Sequence, residues 1–251
     1  MSDEAPPAEP QVPKGGDMVA RHRLSTRIWH WINALTLLVM LMSGLMIFNA
    51  HPRLYWGHYG ANNDPAWLEI PETGGVAFPG WMTIPGDYSL ADARLWHLAF
   101  AWLLAFGLLG YLIVSLVNRH LRRDLHITAR EWHPGHLWHD VLEHARLRFP
   151  TGLAALRYNI LQKLAYGAVL FVLLPGIIAS GLAMAPALDA AWPWLVDLFG
   201  GRQSARSFHF IFAGLLVGFF VVHIAMVLLA GPVNEVRSMI TGRYRLPEDR
   251  G

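Results

Sequence analysis

Residues 207–231 read SFHFIFAGLLVGFFVVHIAMVLLAG, 25 positions without Asp, Glu, Lys or Arg, in which the only titratable side chains are His209 and His223. About 20 helical residues cross the hydrocarbon core of a bilayer, so this stretch is long enough to span one. Three others share its character: 28–50, 95–117 and 164–188, of 23, 23 and 25 residues. The remainder of the chain agrees. Of 251 residues 54% are hydrophobic and 15% charged, where a soluble domain carries about 25% charge. The expected fold is all-α, an integral membrane four-helix bundle.

With no cysteine, disulfides, iron–sulfur clusters, thiolate metal sites and covalent C-x-x-C-H haem attachment are excluded. The pI near 9.1 comes from 18 Arg against 2 Lys. These form no block that would suit nucleic acid; they flank the apolar stretches, as membrane topology requires. Segments 1–27, 118–163 and 232–251 hold 4, 8 and 4 Lys/Arg, whereas the two other connections hold only Arg53, Arg94, Arg202 and Arg206. That asymmetry predicts both termini in the cytoplasm. Residues 1–20 read as a disordered tail, with a Pro-, acid- and Gly-rich start that has no basic or apolar region of a cleavable signal; 21–251 form the membrane domain. The long loop after the first span reads as extracytoplasmic coil with short strands. Residues 136–146 read as an amphipathic helix, and Pro175–Gly176 as a kink in the third span.

Of 13 histidines, His30, His97, His209 and His223 lie within the spans. An ionisable side chain at membrane depth is functional by default, although each alone could simply bond a neighbouring helix. Their geometry argues for more. His209 and His223 are 14 residues apart, almost four turns, so they share a face about 21 Å apart along the axis. His30 opens the first span at the depth of His223, and His97 opens the second at the depth of His209. Two imidazole pairs at two depths meet the requirement for bis-histidine b-type haem. Gly44, 14 residues after His30, shares its face at the outer depth, where the missing side chain lets a porphyrin approach; ordinary small-residue packing is the alternative. Gly214 and Gly218 point away from His209 and are assigned to helix packing. Arg27, Arg94 and Arg206 each precede a proposed ligand by three residues, on its face and one turn nearer water, where haem propionates need cations; for Arg27, snorkelling suffices. The run His133, His136, His139 and His144 is read as a solvated amphipathic helix, not a zinc site. His22, His51, His58, His120 and His126 receive no role. Most of the 11 tryptophans form the interfacial aromatic belt, and a minority border a quinone pocket.

The chain resembles the bacterial cytochrome b561/Ni-hydrogenase b-type cytochrome family, di-haem membrane subunits of hydrogenase, formate dehydrogenase and thiosulfate reductase. The resemblance covers roughly 21–231 and rests on Arg27-Ile-Trp-His30-Trp31, Ser43-Gly44, His97, Gln162-Lys163-Leu-Ala-Tyr166, Ser180-Gly181 and His209-x13-His223. It is nearest to thiosulfate-reductase-like members, which are similar to subunits of molybdopterin oxidoreductases. The resemblance implies His30 with His223 for the inner haem and His97 with His209 for the outer, the pairing obtained above from depth. It further implies a quinone site near one haem. Some members have a fifth span, and no fifth charge-free stretch occurs here.

The functional expectation is a di-haem b-type cytochrome of the bacterial inner membrane. It would pass electrons between a quinone pool and a partner oxidoreductase subunit, docked on the extracytoplasmic side. Substrate chemistry would reside on that partner, which makes this chain an electron-transfer subunit rather than a catalytic one. Two alternatives differ in class: a stand-alone membrane haem oxidoreductase similar to superoxide oxidase, and a transporter or anchor that uses the histidines as proton relays.

Overall fold

A computed structural model describes residues 12–119, 121–129, 131–147 and 149–248. Most of the tail expected to be disordered (1–11), His120, Arg148, the side chain of His144 and the last three residues lie outside the described residues. Four helical segments are long and apolar enough to cross a membrane. They are α1 (Leu24–Asn49), α2 (Leu90–Val117), a third segment in parts, and α8 (Arg202–Ala230). Each begins about four or five residues before its charge-free stretch, because a helix runs on to its caps and absence of charge marks only its apolar part. Ser89 caps α2, its hydroxyl accepting the Asp92 N–H, which satisfies one of the orphan donors of a helix start.

The third segment comprises α4 (Ile160–Ala168), a π-helical turn at Val169–Leu173 and α5 (Leu174–Met184). The expected irregularity at Pro175–Gly176 takes this form. Pro175 offers no N–H to the preceding turn, and the wider π turn falls immediately upstream. Asn159 and Gln162 form a reciprocal capping box at the start of α4. The helix stops at Met184 rather than 188, because Ala185 precedes Pro186 and adopts extended dihedrals. In the connection that follows, α6 (Pro186–Ala191) and α7 (Pro193–Leu198) are two short helices.

α1 packs along α2, and α5 along α8. Between these halves an apolar layer brings together Met40, Leu104, Leu108, Leu170, Leu174, Ile177 and Leu216. Leu216 lies seven residues from both His209 and His223, so the layer sits at mid-depth. The outward faces are apolar and open, with Leu95 70%, Phe106 65% and Val117 78% exposed, a surface suited to lipid rather than water. Gly214 and Gly218 belong to such a face. A Cβ at either would meet nothing within 4 Å, so among the described residues they do not serve the helix packing assigned to them. α8 turns the opposite side, with Ala205, Phe212 and Leu216, inward.

Each end of the bundle is tied off. At one end β1 (Met18–Ala20) pairs antiparallel with β4 (Arg243–Arg245), beside α9 (Pro232–Thr241). Residues 18–20, at the end of the expected tail, are thus paired in a strand. Arg21 holds Glu235 at 3.0 Å and lies 4.2 Å over the Tyr244 ring. The same end carries α3 (Pro134–Ala145), the expected amphipathic helix; there His136 and His139 lie 4.0 and 3.7 Å from Asp140. The opposite end carries the long loop, with its short strands β2 (Arg53–Leu54) and β3 (Leu68–Glu69). The loop is stapled to the start of α8. The Gly57 carbonyl accepts the N–H groups of Gln203 and Ser204, while the Ser204 hydroxyl accepts the Gly57 N–H. This contact requires glycine at 201, where φ is +113° and a Cβ would lie 2.5 Å from the Gly57 oxygen. Ser207 donates to the Tyr55 carbonyl and accepts from the Trp67 indole. These two ends are called below the termini end and the loop end.

Candidate functional site

The four membrane-depth histidines meet in two pairs. At the loop end the rings of His97, on the second turn of α2, and His209, on the second turn of α8, have centres 6.1 Å apart at 61°. At the termini end those of His30 in α1 and His223 in α8 lie 6.3 Å apart at 56°. A metal–imidazole bond is about 2.0–2.1 Å, and a ring centre lies about 1.1 Å behind its nitrogen, so two imidazoles on opposite sides of one metal have centres about 6 Å apart. Both pairs have that spacing. The apolar layer around Leu216 separates them.

The loop-end pair is built by a repeated device. Ser43 and Gly44 in α1 face His97, and Ser180 and Gly181 in α5 face His209. The serine hydroxyls stand 3.1 Å from His97 Nδ1 and 3.0 Å from His209 Nδ1, and both serines are fully buried. A Cβ on Gly44 would come within 3.4 Å of His97 Cε1, and one on Gly181 within 3.3 Å of His209 Cε1. Gly44 thus makes room for the His97 ring. The sequence reading missed Ser43, Ser180 and Gly181 as contacts of the pair, although the twice-occurring Ser-Gly in two different spans was visible. The termini-end pair is made differently. His223 stacks on Phe219 at 5.8 Å, His30 meets Trp31 edge-on at 5.1 Å, and His30 Nδ1 is buried without a partner among the described residues.

The three arginines differ in setting. Arg206 is half-buried; it donates to the His51 carbonyl and lies 5.4 Å over the Phe48 ring. Arg94 is exposed on the first turns of α2. Arg27 donates to the Ile240 carbonyl in α9 and leaves Nε buried without a partner among the described residues. His51, given no role from sequence, lies beside Arg206 at the loop end. Its burial and the nearby Arg206 and Arg53 hold its pKa below the usual histidine value. Two tryptophans do more than anchor at an interface: Trp29 stacks on Tyr111 at 4.1 Å, and Trp31 donates to the Met239 carbonyl.

The sequence profile of prokaryotic cytochrome b561 matches residues 21–242. The chain belongs to this family. It is therefore a b-type cytochrome, a haem protein of electron transfer, and its four apolar helices agree with a multi-pass place in the bacterial inner membrane. A subunit of Azospira oryzae named as protein-methionine-sulfoxide reductase subunit YedZ1 is 28% identical over 85% of this chain and 92% of its own length. Proteins named as Ni/Fe-hydrogenase b-type cytochrome subunits are 26% identical in Azotobacter vinelandii (89% and 87% covered) and 24% in Cupriavidus necator (89% and 85%). The residues present suit the family's cofactor, because both imidazole pairs have the spacing of axial ligands and two glycines leave room for the rings of one pair.

Proposed function

We propose that this chain is a di-haem cytochrome, whose membrane domain at 21–251 follows a short tail at 1–20. His97 and His209 would hold one b haem at the loop end, and His30 and His223 a second at the termini end. A bound haem supplies a one-electron couple; the protein provides ligation, spacing and tuning. The observation that carries this reading is the pair of ring-centre spacings, 6.1 and 6.3 Å, at the two depths of one bundle. Arg206, and more weakly the exposed Arg94, lie one turn beyond the loop-end ligands, where propionates need cations. Arg27 has the same relation to His30 but also tethers α9. Gly44 leaves space for the His97 ring.

The arginine distribution supports a cytoplasmic termini end and an outward loop end. In this orientation the chain would move electrons across the inner membrane, between the quinone pool and a partner oxidoreductase subunit docked outside. The printed names of the relatives point to such partners, a reductase or a hydrogenase, and a molybdopterin enzyme fits the same role. The test is ligand replacement read by redox difference spectra. His97→Ala should remove only the loop-end component and His30→Ala only the other. Loss of one and the same component in His97→Ala and His223→Ala, spared in His30→Ala, would reject the pairing.

A further inference from the structure

The loop-end pair is surrounded by hydrogen bonds that the termini-end pair lacks in part. Ser43 Oγ lies 2.7 Å from the Val39 carbonyl oxygen and 3.2 Å from that of Met40. Ser180 Oγ lies 2.8 Å from the Gly176 carbonyl oxygen and 3.0 Å from that of Ile177. A hydroxyl has one proton, and the carbonyls of the preceding turn take it. What each oxygen then presents to the histidine is a lone pair, so Nδ1 of His97 and of His209 must be the donor. A neutral imidazole with its proton on Nδ1 has its lone pair on Nε2. The serine, with the Met40 and Ile177 carbonyls that the same rings also bond, thus sets the tautomer and, through a contact at 3.0–3.1 Å, the ring rotation. Such outer partners of a metal-bound imidazole also raise its basicity. A more basic axial ligand favours ferric over ferrous iron and lowers the potential.

We infer that Ser43 and Ser180 are positioning residues of the loop-end pair, which direct Nε2 of His97 and His209 to the iron and lower the midpoint potential of the haem held there. This inference rests on the proposed haem ligation. The two halves of the bundle contribute one serine each, so the arrangement is matched on both faces of the site. At the termini end His30 Nδ1 is buried with no partner among the described residues, which makes that haem an internal reference within the same molecule.

The experiment is potentiometric titration and low-temperature EPR of the haem-loaded protein in detergent. The variants are Ser43→Ala, Ser180→Ala and the double change. The expected result is an upward shift of the loop-end midpoint in each single variant, a larger one in the double, and altered g-anisotropy at that haem from freer ring rotation. The termini-end haem should not move. Ser→Thr at either site, which keeps the hydroxyl, should return the midpoint towards wild type, whereas Ser→Cys, of similar size but a weak acceptor, should not. If an alanine variant fails to load haem, the comparison of Thr with Cys decides. An unshifted midpoint and spectrum in the double alanine variant, or in both Cys variants, would overturn the inference. That outcome is distinct from failure of the haem reading itself, which would appear as a wild-type protein without two haems.

Discussion

Gly181 faces the ring of His209 with nothing between them, so its enlargement should remove one haem and spare the other. An ideal Cβ there lies 3.3 Å from His209 Cε1 and 3.6 Å from Nδ1, against a preferred carbon contact of about 3.5–4.0 Å. Alanine therefore asks the ring to give by a few tenths of an ångström. The crowding it brings is offset by about 0.5–1 kcal/mol gained when glycine leaves a helix interior, so Gly181→Ala should fold and load as wild type with a small change at the loop-end haem. Leucine places further carbons where the imidazole stands, and overpacking of this kind costs about 1–3 kcal/mol. The ring cannot yield without breaking its 3.0 Å contact with Ser180 and its 6.1 Å spacing to His97. Gly181→Leu should then lose the loop-end haem and retain the other, and Gly107→Leu, where a Cβ meets nothing within 4 Å, should lose neither. Redox difference spectra with titration to resolve the two components give the answer. A Gly181→Leu protein with both haems and an unshifted loop-end potential would refute the reasoning.

Arg206→Gln should lower the loop-end potential, since a nearby cation favours the less positive reduced haem; at an effective dielectric of about 20 a charge several ångströms away is worth about 1 kcal/mol or more. The exposed Arg94 should act in the same sense but less, and equal shifts at both haems would mean that the arginines only anchor helix ends. Burial tends to raise the Glu131 pKa, but hydrogen bonds from Lys163 and Thr128 win and hold it at about 2, below its ordinary 4.5. The Glu131–Lys163 link across the connection between the second and third spans should be fully present above pH 4.5 and be lost as pH falls towards 2. Hydrogen exchange over 121–163 should show it, and wild-type protection in Glu131→Gln at neutral pH would count against it. Crosslinks from the loop at 51–89 should capture an extracytoplasmic redox protein, and capture of cytoplasmic proteins alone would reverse the proposed docking side.

What was legible in the sequence depended on patterns within one element. Absence of charge marked the four spans, and a 14-residue spacing placed His209 and His223 on one face of α8, each now opposite the histidine expected from depth. Features that need a second element were not legible. Ser43 and Ser180 stood out only within the resemblance motifs Ser43-Gly44 and Ser180-Gly181, and what their hydroxyls touch is set by α2 and α8, which bring imidazoles to them. The need for glycine at 201 is of this kind, because its positive φ serves the approach of the Gly57 carbonyl from a loop some 140 residues earlier. The strand at Met18–Ala20 is another case, since it has no strand pattern of its own and is ordered by Arg243–Arg245. Gly214 and Gly218 show the converse error, in which a spacing used for helix packing occurs on a face that no other helix among the described residues covers.

The central claim is that two matched histidine pairs hold two haems in one chain. A pyridine haemochrome assay against quantified protein, on purified and well-folded material, tests it most directly. The account predicts two b haems per chain, both six-coordinate and low-spin; one haem, or none, would contradict it.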